Sequence, residues 1–239
     1  MNKISVIIPV YNEEKNIALT LLRLWEVICS LPQYSFEIIV VDGGSTDQTA
    51  VAVERLRPLL PLRLLRSASG RGIQLATGAE AADGDLLVFL HADTVIGADY
   101  FVQAVMAIGR QRPWGCARLR FINDKDEPEK GIFRIMEFFA NYRVTRSSIA
   151  FGDQSIFCSR EFYERHGGYR RDFCFFEDYR FSQDARKLCR PLMLRALSST
   201  SSRRHRRYGI YKTIWHMQKT RWLYMRGTPI DRLWEYYKK

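Results

Sequence analysis

The sequence predicts an α/β protein built on a mostly parallel sheet. Over the first hundred residues, strand-like and helix-like stretches alternate in order. The strand-like stretches are short runs of apolar residues, the pattern of strands buried on both faces. Two of them end in aspartates, Asp42 and Asp93. Open parallel sheets bind ligands beyond those C-terminal strand ends.

Ile4-Ser5-Val6-Ile7-Ile8-Pro9-Val10 reads as the first strand, with Pro9 near its end, where a missing N–H does least harm. Asn12 offers an N-cap and Glu13 and Glu14 a favourable first turn for a helix through Ile17, Leu21, Leu24 and Ile28, stopped by Pro32. Glu37 to Asp42 is the second strand. Gly43-Gly44 turns the chain, and Ser45 or Asp47 caps a helix through Val51, Val53 and Leu56. Leu62-Arg63-Leu64-Leu65 is a shorter third strand. Gly70-Arg71-Gly72 leads into a small-residue helix, roughly 73–82. Loop N–H groups at a helix N-terminus, with Arg71 beside them, suit an anion such as a diphosphate.

Leu86-Leu87-Val88-Phe89-Leu90 is the fourth strand, and it delivers His91 and Asp93 at its C-terminal end. Thr94 follows, with no further core residues expected. On these residues alone, Asp93 is either a metal or substrate ligand or the cap of the next turn.

Composition bounds the function. The chain has 239 residues, ordinary apolar and charged fractions, and no run of about 18 apolar residues that would cross a membrane. Pro9 and the acids after it break any signal-peptide pattern. Five scattered cysteines, none in a C-x-x-C pair, imply reduced thiols in a cytosolic protein and argue against a zinc site. The missing G-x-G-x-x-G after the first strand argues against a nicotinamide or flavin enzyme. Net charge is +11, of which residues 203–239 carry +9, so the basic character belongs to one surface.

Three segments in this order and spacing resemble the family 2 glycosyltransferases of the GT-A fold. They are Val6 to Glu14, Val40-Val41-Asp42-Gly43-Gly44-Ser45-Thr46-Asp47, and Phe89-Leu90-His91-Ala92-Asp93. Gly152-Asp153-Gln154-Ser155, Gly167-Gly168-Tyr169 and Glu177-Asp178 resemble that family's acceptor half. The likeness covers roughly the first 200 residues. The V-D-G-G-S-T-D, H-A-D-T and G-D-Q spellings resemble a bacterial subgroup of small stand-alone transferases, some labelled as associated with radical-SAM genes.

The resemblance implies a three-layer α/β/α GT-A domain over residues 1–239. About 1–100 would bind a nucleotide-sugar donor, about 101–200 the acceptor, and about 201–239 would form a basic helical tail. Pro9, Tyr11, Glu13 and Asp42 would contact base and ribose. Asp42 alone also reads as a cap for the Ser45 turn. The family's D-x-D motif is His91-Ala92-Asp93 here, so Asp93 would meet the cation, Mg2+ or Mn2+, both hard ions suited to carboxylate and phosphate oxygens. The substituted His91 could bind ribose, join the metal or pack. Asp178 would be the base that deprotonates the acceptor for inverting, in-line attack, supported by Glu177. Acids that follow the aromatic run Phe173 to Phe176 are poorly solvated, which raises proton affinity. They also read as the first turn of a helix through Leu188. Asp153 and Gln154 would lie on the acceptor side.

Elsewhere, Asp124, Asp126, Glu127 and Glu129 read as a solvated acidic loop. Ile132 to Tyr142 is apolar nearly all round, a core or interface helix, or one that meets membrane or a lipid acceptor. The tail opens with Arg203-Arg204-His205-Arg206-Arg207, where Arg203 or Arg204 can reach a diphosphate and a tail histidine is a further candidate metal ligand. A helix at about Ile210 to Met225 follows. Basic and Trp-rich, it suits either an anionic membrane surface or packing on the domain. Gln218 to Trp222 spells Q-x-x-R-W, a signature of processive polysaccharide synthases. Without their transmembrane helices, single-sugar transfer is the expected reaction.

Two alternatives remain. A nucleotidyltransferase wants a Gly-rich loop with a lysine after the first strand, and Tyr11-Asn12-Glu13-Glu14 is acidic instead. A nucleic-acid or membrane binder acting through the tail would leave Asp42, Asp93 and Asp178 without a purpose, and no nucleic acid is expected. The expected setting is the cytoplasm, either free or peripheral on the inner membrane face. The acceptor is open among lipid, small metabolite and protein.

Overall fold

The computed structural model describes residues 3–230 except 124 and 174, together with 232 and 233. Asp124, Cys174, Asp231 and Glu235 therefore lie outside the described residues. The chain runs β1 (Lys3–Val10), α1 (Ile17–Cys29), β2 (Ser35–Asp42), α2 (Thr49–Leu56), β3 (Leu62–Arg66), α3 (Arg71–Ala81) and β4 (Leu86–Phe89). Then come β5 (Thr94–Ile96), α4 (Ala98–Gly109), β6 (Trp114–Ile122), α5 (Ile132–Ser147), a 3-10 turn (Gly152–Gln154) and β7 (Phe157–Ser159). The last elements are α6 (Arg160–His166), α7 (Glu177–Leu188), β8 (Leu192–Ser201), α8 (Arg203–Tyr208) and α9 (Ile210–Met225).

One eight-stranded sheet, in the order β3-β2-β1-β4-β7-β6-β8-β5, runs through the structure. β1 to β4 are mutually parallel, β6 and β8 pair in parallel, and β7 and β5 run antiparallel to their neighbours. The central strands β1, β2 and β4 are buried on both faces because alternate side chains serve two helical layers. Ile4, Val6, Ile8 and Val10 pack with Leu21 and Leu24 of α1 and Phe101 of α4. Ile7, Ile39, Val41 and Phe89 pack instead with Leu75 and Ala79 of α3 and Phe181 of α7. Small residues let α3 lie close to the sheet: a Cβ on Gly78 would come within 2.4 Å of Ile7 Cγ2.

Three local expectations are corrected. The first helix begins at Ile17, because Asn12 adopts a left-handed conformation, φ 54°, and its Oδ1 accepts the Thr46 N–H at 2.8 Å. Glu13 and Glu14 reach the next loop in the same way: the Glu13 N–H donates to Thr49 Oγ1, and Glu14 Oε2 accepts from the Gln48 N–H. The acids brace the β1 loop against the β2 loop and leave the helix dipole to others. Second, the chain after Asp93 is core and not loop. Thr94 and Ile96 are buried in β5, paired to β8. Third, Glu129 is no solvated loop acid. It is buried and accepts a two-pronged contact from Arg206 at 2.8 and 2.9 Å, with the Ser202 hydroxyl as a third donor.

The apolar stretch 132–142 is a helix only half committed to the core. Phe133, Glu137, Ala140 and Val144 face inward, while Ile135, Phe138, Phe139 and Tyr142 are exposed. Its polar residues explain its seat. β7 pairs with β6 only at Trp114 and Gly115, leaving the backbone near Leu119 and Phe121 without a strand on that side. Glu137 Oε1 accepts the Phe121 N–H at 2.8 Å and Asn141 Oδ1 the Leu119 N–H at 2.9 Å, so buried donors are satisfied by side chains.

Candidate active site

Neighbouring strand ends create the crevice. Val10 stands in register with Asp42, and the Leu90 N–H donates to Ile7 O, so the loops carrying Tyr11, Asp42 and His91 emerge side by side. Gln74, a buried residue of α3 to which sequence reasoning gave no role, donates to Val10 O at 2.7 Å and Val41 O at 2.9 Å. A Cβ on Gly43 would collide with it at 2.8 Å, which gives that glycine its reason. Asp42 is buried, and its Oδ1 accepts both the Ser45 N–H and hydroxyl, at 2.9 and 2.6 Å. Pro9 is buried in β1, while the Tyr11 ring is 52% exposed and free to lie against a planar base.

A second set of acids stands across the crevice. The Thr20 hydroxyl fixes Ala92 O at 2.6 Å and so holds the loop that presents Asp93. Burial raises the proton affinity of Asp93, against the opposing charges of Arg203 and Arg71. Glu13 is raised too, chiefly by burial and partly by Asp93. Arg203 reaches back from α8, with Nη1 on Asn16 Oδ1 at 2.9 Å and Nη2 3.5 Å from Glu13 Oε2. Arg204 is exposed on α8 and its charge acts on His205. His205 packs between the rings of Phe121 and Phe133, at 5.3 and 5.9 Å, as a core residue rather than a metal ligand.

His91 is held neutral: burial first, and the charge of Arg71 second, push its pKa down to about 3. Its ring fills the space over Gly152, where a Cβ would lie 2.3 Å from Nε2. The Gly152 N–H in turn donates to Asp178 Oδ2 at 2.8 Å, while Asp178 Oδ1 accepts the Tyr179 N–H. The adjacent Asp153 carries a buried Oδ1 with no hydrogen-bond partner among the described residues. Burial lifts it to about 6, Asp178 and Asp93 adding to the rise and Arg143 opposing it. Gln154 turns the other way. It is fully buried, and its amide is taken by Arg143 at 3.1 Å, the Phe151 N–H and Asn141, so it braces the loop and does not face an acceptor.

Arg71 links the two halves. Its Nη1 stands 3.4 Å from Oε1 of Glu177, which is buried and whose proton affinity is raised by that burial. The same guanidinium acts on Asp93, Asp153 and His91. The close approach depends on Gly72: a Cβ there would sit 2.2 Å from Phe173 O and 2.7 Å from Arg170 O. Arg143, to which sequence reasoning gave no role, also stands at the crevice. It lies over the Phe151 ring at 3.8 Å, and its charge opposes those of Asp153 and Asp178. Arg134 and Arg146 share its helix but are exposed, so nothing in the sequence set Arg143 apart from them.

The arrangement offers electron-rich carboxylates and three arginines, Arg71, Arg143 and Arg203, at one strand-end crevice. A divalent cation is compatible with it. Asp93 is the strand-end donor, and a cation would offset the burial that raises Asp93, Glu13 and Asp153 and the lesser repulsion Asp93 exerts on the other two. Among the described residues, no three His, Cys, Asp or Glu side chains converge as a complete metal site, so phosphate oxygens would complete any shell.

The sequence model of glycosyl transferase family 2 matches residues 5–167. The chain belongs to that family. An uncharacterized glycosyltransferase of Mycobacterium tuberculosis is 30% identical over 166 residues, 67% of this chain and 61% of that protein. An undecaprenyl-phosphate 4-deoxy-4-formamido-L-arabinose transferase of Pseudomonas fluorescens is 36% identical over 94 residues, 38% of this chain and 27% of that one. Among solved structures, the mannosyltransferase PcManGT of Pyrobaculum calidifontis, in complex with GDP-Man and Mn2+, superposes with a TM-score of 0.62 at 26% identity. That match covers 82% of this chain and 56% of that one, and it carries the GT-A fold of family 2. This chain thus spans less than two thirds of the length of each of these relatives. The family match ends at Gly167, so it includes Asp153 but not Glu177 or Asp178.

Proposed function

We propose that this family 2 chain moves one sugar from a nucleotide-diphosphate donor to an acceptor hydroxyl, with inversion and with Mg2+ or Mn2+. The observation that carries the reading is Arg71, held at the N-terminus of α3 against Glu177 and within electrostatic reach of Asp93 and Asp153. A relative solved with GDP-Man and Mn2+ supports the donor class and the ion.

Tyr11, Glu13 and Asp42 hold base and ribose, beside the buried Pro9, and neutral His91 offers a hydrogen bond without adding charge. Asp93 holds the cation, which when bound neutralises charge on the diphosphate. Arg71, the α3 N-terminus and Arg203 add fixed positive charge there. Asp178, oriented by the Gly152 N–H, takes the acceptor proton as the acceptor oxygen attacks the anomeric carbon. The bond from that carbon to the β-phosphate oxygen breaks, and the nucleoside diphosphate leaves with the electron pair. Asp153 and Glu177 keep the acceptor side acidic, and Arg143 and Arg71 hold them in place. The chain works in the cytoplasm, at the inner membrane face. Its acceptor is a lipid, a class supported by the relative named for undecaprenyl phosphate.

A thermal-shift panel tests this with UDP, GDP, dTDP and their sugars, with and without Mn2+, on wild type and on Asp93→Ala. One nucleotide should stabilise the chain in a manner that needs both Mn2+ and Asp93. Asp178→Asn should keep that shift and lose transfer by roughly 100- to 10,000-fold. No shift with any nucleotide would sink the reading.

A further inference from the structure

We infer that α5 and α9 together form an interfacial docking surface for an anionic lipid bilayer, at the side of the molecule where the acceptor carboxylates lie. The inference rests on the transferase reading for its purpose and on the surface itself for its argument.

On α5, Ile135, Phe138, Phe139 and Tyr142 recur at helical spacing on the outward face. Phe138 and Phe139 are 64% and 62% exposed, although the opposite face is core. An amphipathic helix on a soluble domain turns its polar side to water; this one turns an aromatic stripe to it. α9 repeats the pattern with Tyr211, Trp215 and Trp222, exposed by 78%, 68% and 46%, while its buried positions are the small residues Thr213 and Thr220.

The two helices are neighbours. Ile210 packs on the cluster of Phe121, Phe133 and Ala140, and Arg221 of α9 acts on Arg143 of α5. At the far end, the Tyr224 ring meets Phe176 at 5.4 Å and Tyr179 at 5.5 Å, next to Asp178. α5 thus carries exposed aromatics on one side and, through Arg143, faces Asp153 and Asp178 on the other.

Charge selects the occupant. From residue 203 to 226 the chain has eight Lys or Arg and no acid. Lys212, Lys219 and Arg226 lie among the aromatic positions of α9, and Arg226 stacks on Trp222 at 4.0 Å. Trp and Tyr beside Lys and Arg is the chemistry of the headgroup boundary of an anionic bilayer. The α5 stripe is purely apolar and aromatic, which suits acyl chains and offers nothing to a base edge or phosphate. No described helix is long and apolar enough to cross a membrane, so contact of this kind is at the surface.

Co-sedimentation of the full chain with vesicles tests it, using phosphatidylcholine alone and phosphatidylcholine mixed with phosphatidylglycerol. Binding is expected on the anionic vesicles only. Trp215→Ser with Trp222→Ser, and separately Phe138→Ser with Phe139→Ser, should each weaken it roughly tenfold or more. Both variants should keep the nucleotide thermal shift of the wild type. No vesicle binding, or binding unmoved by either pair, would overturn the inference. So would loss of self-association, or of duplex DNA binding, as the sole effect of the substitutions. Vesicle binding without any nucleotide shift would instead spare this surface and remove the transferase.

Discussion

The guanidinium of Arg71, 3.4 Å from the buried Oε1 of Glu177, bolts the N-terminus of α3 to that of α7 across the crevice. The two sides of the crevice therefore share one cation. Arg71→Ala is expected to weaken nucleotide binding about tenfold, a charged hydrogen bond being worth roughly 1.5–3 kcal/mol. It should slow transfer further by releasing Glu177. Arg71→Lys should recover binding more than transfer, since a point charge lacks the guanidinium fork. Calorimetry with the nucleoside diphosphate alone, set beside turnover, separates the two effects.

His91 and Gly152 test each other. A methyl on Gly152 would stand 2.3 Å from His91 Nε2, so Gly152→Ala should displace the ring and the N–H that holds Asp178. Transfer should fall well over tenfold. Adding His91→Ala makes room and should restore part of the loss, a coupling of about 1–3 kcal/mol in a double-mutant cycle. Additive losses would show that the contact does not orient Asp178.

Asp153 should trade stability for activity. Burial lifts its folded-state pKa from 3.8 to about 6, so the folded chain binds more protons than the unfolded one between those values. Stability from this group falls as pH rises through that window. Asp153→Asn should therefore raise Tm by roughly 2–4 °C near neutral pH, with no gain at a pH below both values, while transfer is lost. Melting curves across that range decide it; an equal Tm at neutral pH would mean that Arg143 fully offsets the buried charge.

Glu129 anchors the tail through the opposite shift. Burial would raise its pKa, but the Ser202 hydroxyl and Arg206 outweigh burial and hold it below 4.5. Its contribution is thus complete above the unfolded value and is lost as pH falls through the lower folded one. Glu129→Gln should cost about 2 kcal/mol at neutral pH and speed proteolysis after Ser202. It should also weaken donor binding, since α8 carries Arg203 into the crevice. Limited proteolysis with and without nucleotide reads both.

The sheet was legible in the sequence because a strand buried on both faces must be apolar throughout, as 38–41 and 86–89 are. The strand-end acids were legible because each stands at or just past the C-terminal end of such a run, although Asp42 also caps the Ser45 turn as its other reading allowed. Local rules misled where a tertiary partner competed for the same group. Asn12 is a good helix cap, yet the Thr46 N–H across the loop takes its oxygen. Glu129 looks like a loop acid until Arg206, far along the chain, closes on it.

What the sequence by itself determined is the α/β order, the family, and the strand-end positions of Asp42 and Asp93, set by local patterning of apolar runs and motif spacing. Only the tertiary structure decided how those groups are charged and supported. Burial depth, the neutrality of His91, the bracing role of Gln154 and the place of Arg143 depend on which distant side chains are brought within a few ångströms. It likewise decided that the apolar residues of α5 divide between core and solvent, because the face of a helix that is buried depends on what packs against it.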